Sequence, residues 1–217
     1  MLKSMFDCRK KEPKFGGQDE PQQDQNNCGE QGPPPPTNID VIGNRIYFYK
    51  DVQFETINNF NRTLHDIQSR MRMVKIELEF TEPKIEIHIH SFGGSLLAGL
   101  AAMDAIESYK EYLTITTHIE GAAASAATLM SIAGTRRYMT PHSYMLIHQL
   151  STVFWGTYEN FKDNQQSLDK MMETLMSIYR KKAKMPEKVM RHLLKRDLWL
   201  NAQESLKYGL IDEIKCK

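Results

Sequence analysis

Hydrophobic and polar positions along the chain switch repeatedly between a period of two and a period near 3.6, the two signatures of strand and helix. Asp40-Val-Ile-Gly-Asn-Arg-Ile-Tyr-Phe-Tyr49 reads as strand around a Gly-Asn turn. Phe54, Ile57, Phe60, Leu64 and Ile67 recur at helical spacing and predict a first helix. Ile85-Glu-Ile-His-Ile-His90 alternates as a strand and runs into Ser91-Phe-Gly-Gly94. Leu97, Leu100, Ala101 and Ile106 predict a second helix over 96–106. A third strand is expected over Tyr112-Leu-Thr-Ile-Thr-Thr-His-Ile119, followed by a helix beside Ser125. Arg137-Tyr-Met139 and Tyr144-Met-Leu-Ile147 form short strands on either side of Pro141. A long helix over Tyr158 to Lys182 ends ahead of Pro186, and another covers Glu187 to Lys195. Asn201 and Glu204 have capping-box spacing for a last short helix, which Gly209 closes before Leu210-Ile-Asp-Glu-Ile214. Strands alternating with helices predict an α/β fold of right-handed βαβ units.

Composition divides the chain in two. Residues 1–37 are expected to form a disordered polar and proline-rich arm, because Gly17 to Pro36 contains no large apolar residue to bury. Residues 38–217 carry the periodic pattern and are expected to form one domain. The net charge of +1 gives no electrostatic footprint for nucleic acid or an anionic membrane, so neither is expected as a partner. No apolar run approaches the roughly 20 residues that span a bilayer, and none near the N-terminus suits a secretory signal. A cytoplasmic or equivalent intracellular location is the expectation. Cys8, Cys28 and Cys216 are odd in number and lack zinc-site spacing, so no disulfide framework and no metal is expected from them. His88 and His90 share one strand face but lack a nearby third ligand. No cofactor is expected.

The chemistry centres on Ser125, set in Gly121-Ala-Ala-Ala-Ser-Ala-Ala127 where strand pattern gives way to helix pattern. Small neighbours admit the close approach of another backbone, and a helix starting there aims free N–H groups at a developing oxyanion. A serine hydroxyl needs a base to take its proton, and histidine needs a carboxylate to fix its tautomer. His148 and Asp197 lie downstream and supply those groups. Gly93-Gly94 closes a strand and opens a helix, which can turn backbone N–H groups outward. Taken alone, each element also fits a plainer role: tight helix packing for Ser125, a satisfied core residue for His148, a tight turn for the glycines.

Ser91-Phe-Gly-Gly-Ser-Leu-Leu-Ala-Gly99, Gly121-Ala-Ala-Ala-Ser125, Met145-Leu-Ile-His-Gln149, Arg196-Asp-Leu-Trp-Leu-Asn-Ala202 and the closing block up to Asp212 occur in one order over residues 39–214. Together they resemble the signature blocks of the Clp protease proteolytic subunit family of serine peptidases. The resemblance implies a crotonase-like fold of repeated ββα-type units with a protruding handle helix. It implies Ser125 as nucleophile, His148 as general base and acid, and Asp197 as its orienter. It further implies an oxyanion hole from the backbone N–H groups of Gly93 and Ala126. A handle strand is implied over Ser151–Tyr158, ahead of the long helix. Met171, Met172, Leu175, Met176 and Tyr179 of that helix would then supply an apolar face between stacked seven-membered rings. The block departs from the family pattern at Phe92, where proline is usual.

These implications describe a homo-oligomeric ring that hydrolyses peptide bonds of peptides or unfolded proteins. The chain has no Gly-x-x-x-x-Gly-Lys-Ser/Thr loop, so unfolding would fall to a separate ATP-driven partner of the AAA+ class. Two other functions fit the same fold. One is a structural ring subunit without activity, and the other is an acyl-CoA hydratase or isomerase.

Overall fold

The computed structural model describes residues 39–78 and 84–216, and the expected arm over residues 1–37 lies outside them. Strand β1 (Asp40–Ile42) folds back antiparallel on β2 (Arg45–Phe48) through Gly43, whose φ of 63° suits glycine. Along the path from β2 to β8 the pairing is parallel. β2 pairs with β3 (Lys84–Ser91), β3 with β4 (Thr114–Ala124), β4 with β5 (Arg136–Met139), and β5 with β8 (Glu213–Ile214). The last part of β4 also pairs in parallel with β6 (Tyr144–Leu146), which pairs antiparallel with β7 (Leu200–Asn201). The two-residue β7 is too short to show any period, and the sequence pattern does not predict it. The crotonase-like α/β architecture expected from the sequence is the one observed.

Helix α1 (Phe54–Leu78) buries Ile57, Phe60, Leu64 and Ile67 against the sheet, as its spacing predicts, while Phe54 is exposed. These side chains meet Ile85, Ile87 and Ile89 of β3 and Ile115 of β4, all fully buried in one core. Burying each such aliphatic side chain contributes about 1.5–3 kcal/mol. Helix α2 (Leu96–Tyr109) buries Ile106 and packs Leu100 against the core as expected, but not Leu97 or Ala101. Leu97 is half exposed, and the buried residues are Ala98, Gly99, Ala102, Met103 and Ile106. The reason is a close approach: a methyl group on Gly99 would lie 2.9 Å from the Ala126 carbonyl oxygen and 3.0 Å from Ala126 Cβ. Small residues therefore bring α2 against the turn that carries Ser125.

Helix α4 (Tyr158–Lys182) runs over the expected span, but its stripe is used differently. Leu175, Met176 and Tyr179 are buried in the chain's own core, and Met172 packs against it. Its strongly exposed aromatic residues are Tyr158 and Phe161, at the N-terminal end. The segment expected as a handle strand is irregular, with Val153 and Trp155 almost wholly exposed. A strand needs a partner edge, and none of the described strands pairs with this segment. Helix α5 (Glu187–Leu194) precedes α6 (Ala202–Lys207), which opens with the expected capping box: Glu204 N–H donates to Asn201 Oδ1 and Asn201 N–H to a Glu204 carboxylate oxygen.

The sheet face opposite the isoleucines is polar. Parallel register sets Tyr47, His88, His118 and Tyr138 side by side on β2, β3, β4 and β5. Their rings stack in one ladder, with successive centroids 4.6, 4.7 and 4.9 Å apart. His88 Nδ1 lies 2.6 Å from a Glu120 carboxylate oxygen, which places the ring proton on Nδ1. Burial, and then the neighbouring His88, push His118 from 6.5 down to about 4. Between those values the unfolded chain binds a proton that the native chain does not. The contribution of His118 to stability is therefore full above about pH 6.5 and is lost as the pH falls toward 4. His118→Phe keeps a ring in the ladder and removes this titration. Melting temperatures recorded from pH 7 to 4 should fall less steeply for the variant, and parallel curves would refute the assignment.

Candidate active site

The site is built where β4 ends. Its last residues sit between two neighbours, with Ala123 opposite Ser91 of β3 and Ala124 opposite Leu146 of β6. Alanines keep this crowded segment narrow. The chain then turns at Ser125, whose φ of 54° is the one positive value at a non-glycine position among the described residues. That conformation costs an L-residue roughly 1–2 kcal/mol and persists where the surroundings hold it. Here the Ser125 N–H donates to the Leu146 carbonyl at 2.8 Å. The Ser125 carbonyl accepts from Thr128 N–H at 3.0 Å and from Thr128 Oγ1 at 2.6 Å. Helix α3 (Ala127–Ala133) begins at once, with Ala126 at its N-cap, so its first amides point back to the turn.

His148 follows Leu146 by two residues, so the bond that fixes the Ser125 backbone also anchors the strand leading to the imidazole. Asp197 arrives through β7. Tyr144 faces Asn201 and Met145 faces Leu200, and continuing that antiparallel register sets His148 opposite Asp197. Gln149 N–H donates to the Leu194 carbonyl at 2.7 Å and ties the two segments together. The separation is 3.8 Å between His148 Nδ1 and Asp197 Oδ1, an ion-pair distance longer than a hydrogen bond. The Asp197 side chain is 83% exposed and that of His148 is 23% exposed.

Ser125 and His148 line one cavity of about 90 Å³, together with Gly94, Ala126 and the apolar side chains of Leu129 and Leu175. Among the described residues no hydrogen bond joins the serine hydroxyl to the imidazole. Such bonds are commonly long or open before substrate binds. The two glycines behave differently from one another. A methyl group on Gly93 would lie 2.6 Å from Ser125 Cβ and 3.1 Å from the Ala126 nitrogen, so Gly93 abuts the serine turn. Its N–H, however, is donated to Ser91 Oγ at 3.1 Å. Gly94 is the glycine that faces the cavity. The oxyanion donor expected at Gly93 is thus engaged, because Ser91 at the end of β3 turns its hydroxyl onto it. That detail depends on side-chain direction at a strand end, which no spacing rule reveals.

Phe92, the departure from the family pattern, is 62% exposed and meets Trp199 edge-to-face, with ring centroids 6.2 Å apart. The pair links the glycine turn to the loop that follows Asp197. Thr128 and Tyr179 are the residues at the site whose contacts the sequence pattern does not signal. Tyr179 is read from the sequence only as part of an apolar stripe, yet it lines the cavity.

A parallel sheet with a serine at a strained strand-to-helix turn, facing an imidazole across a small cavity, defines a crotonase-like domain with a candidate nucleophile. Comparison with known proteins narrows this further. The family model described as Clp protease matches residues 47–217. A curated relative, the ATP-dependent Clp protease proteolytic subunit of Deinococcus radiodurans, is 30% identical over 145 residues, covering 66% of this chain and 70% of the relative. Among solved structures, a ClpP1 point mutant from Listeria monocytogenes superposes with a TM-score of 0.67 at 20% identity, over 81% of this chain and 92% of that one. The chain belongs to the Clp protease family.

None of the helices among the described residues is long and apolar enough to cross a membrane. The crowding at Gly93 gives a direct check. Gly93→Ala must accommodate a methyl group at φ 97°, against the Ala124 carbonyl and Ser125 Cβ. Urea unfolding should show a loss of about 1–3 kcal/mol. Wild-type stability would mean that the turn is roomier than described.

Proposed function

We propose that this protein is a serine endopeptidase that cleaves peptide bonds through an acyl-enzyme on Ser125. The observation that carries the reading is the convergence of three separate segments. Ser125 sits at a strained turn, His148 shares its cavity, and Asp197 lies 3.8 Å behind the imidazole. His148 takes the hydroxyl proton as Ser125 Oγ attacks the scissile carbonyl, then returns it to the leaving amine. Water, deprotonated by the same imidazole, releases the acyl group. Asp197 holds the ring in the tautomer with its proton on Nδ1, closing its present gap when substrate shields the site.

Ala126 N–H at the head of α3 is the first oxyanion donor. With the Gly93 amide engaged by Ser91, we assign the second to Gly94, which faces the cavity. Each such donor contributes about 2.7–4 kcal/mol to the transition state. The cavity walls of Leu129 and Leu175 suit an apolar side chain next to the cleaved bond.

The exposed Val153, Trp155, Tyr158 and Phe161 form an apolar surface that a monomer would leave in water. A second copy of the chain covers it in this reading, and stacked heptameric rings enclose the sites in a chamber. The chain has no P-loop, so an AAA+ unfoldase supplies unfolded substrate. The relative from Deinococcus radiodurans is by name an ATP-dependent proteolytic subunit, which supports this division of labour.

Ser125→Ala should abolish cleavage of short fluorogenic peptides while leaving the size of the assembly unchanged. Undiminished turnover in that variant would remove Ser125 from the mechanism, and a folded wild-type ring without turnover would favour a structural subunit. Asp197→Asn should keep the fold and lower kcat by up to about 10⁴-fold through the wrong imidazole tautomer. A rate equal to wild type would show that Asp197 does not orient His148.

A further inference from the structure

We infer that Thr128 and Tyr179 form a hydrogen-bonded relay that clamps Ser125 in its attacking conformation, with both acting as positioning residues. The inference rests on the peptidase reading above and adds two residues that the triad does not include. Its starting point is the strained φ of 54° at Ser125. A residue in that region relaxes unless something on each side holds it. On the N-terminal side the Leu146 carbonyl does so. On the C-terminal side its partners among the described residues are the backbone N–H and hydroxyl of Thr128.

Counting protons fixes the direction of the relay. The Ser125 carbonyl can only accept, so the single hydroxyl proton of Thr128 must be donated to it at 2.6 Å. Tyr179 Oη lies 2.6 Å from the same Thr128 oxygen, and with that proton committed the phenol must be the donor. Donation by the phenol polarises the threonine hydroxyl and strengthens its own bond to the carbonyl. Both residues are buried, Thr128 completely and Tyr179 to 2% exposure, so no water competes for these bonds. Burial also pushes the Tyr179 phenol up to about 12, so it stays protonated at any working pH.

Local capping alone does not account for the arrangement. A threonine near a helix start often bonds a carbonyl three residues back. That motif needs no buried phenol 51 residues away on another helix, and phenylalanine would fill the same core space. The Tyr179 ring also lines the cavity beside Ser125. A substrate side chain entering the cavity therefore rests on the ring whose hydroxyl steadies the nucleophile.

The test is the second-order rate at which a fluorophosphonate labels the full-length protein at 25 °C, with kcat and KM measured on a short fluorogenic peptide. Losing about one neutral hydrogen bond from the attacking geometry corresponds to roughly a two- to twelvefold rate loss. Thr128→Val should label about tenfold more slowly, and Tyr179→Phe about threefold more slowly, each through kcat with KM unchanged. Thr128→Ser keeps the hydroxyl and should restore the rate. The double variant Thr128→Val with Tyr179→Phe should be no slower than Thr128→Val alone, because both act on one relay.

Wild-type labelling in Thr128→Val and Tyr179→Phe, losses that multiply in the double variant, or a Thr128→Ser variant as slow as Thr128→Val would each overturn the relay. In those cases Ser125 would still be labelled and the peptidase reading would stand. A folded wild-type protein that takes no label would instead remove that reading, and the relay with it. Should Thr128→Val not fold, Tyr179→Phe and Thr128→Ser decide the question on the same rates.

Discussion

The hydrogen bond from Ser125 N–H to the Leu146 carbonyl is the interaction on which the site depends. It extends the parallel pairing of β4 with β6 by one residue, just past the point where β4 stops being a strand. The same bond holds Ser125 in a left-handed conformation and sets the distance from which His148, two residues beyond Leu146, enters the cavity. Antiparallel pairing of β6 with β7 then carries Asp197 to the far side of the imidazole. Three groups that are remote in sequence are therefore brought together by short segments that leave the ends of β4, β6 and β7.

The two faces of the sheet divide the physical work. One face is aliphatic and packs against α1 and α3, with α2 packed on both helices, which supplies the burial that holds the sheet in place. The other carries the Tyr47, His88, His118 and Tyr138 ladder with acidic and basic neighbours around a polar cleft. The strain at Ser125 costs little beside the core that surrounds it, where a dozen of the largest side chains are almost completely buried. A rigid scaffold of this kind can sustain one unfavourable backbone conformation where chemistry calls for it.

Much of this was legible in the residues. Ile85–His90 and Tyr112–Ile119 were read as strands, and β3 and β4 form there, β4 starting at Thr114 and running on to Ala124. The span of α4 and the capping box at Asn201 were equally legible, because end signals are local. What failed to show was whatever depends on the far side of a contact. The α2 face was read only in part: Ile106 and Leu100 meet the core, but Ala98, Gly99 and Ala102 were overlooked because alanine and glycine look weakly hydrophobic, although close approach to Ala126 buries them. The stripe on α4 was divided between core and surface in a way that its period cannot express. At the candidate site, Ser125, His148 and Asp197 were singled out from motif resemblance, but the engagement of Gly93 by Ser91 and the Tyr179–Thr128–Ser125 chain required three-dimensional side-chain directions.

The central claim is that folding makes one hydroxyl, that of Ser125, uniquely nucleophilic. Its most direct measurement is intact and peptide-level mass spectrometry of the folded protein after treatment with a fluorophosphonate. A single adduct confined to the peptide that contains Ser125, and abolished by prior unfolding, is the predicted result. An adduct on another residue, or several adducts of similar yield, would contradict the account.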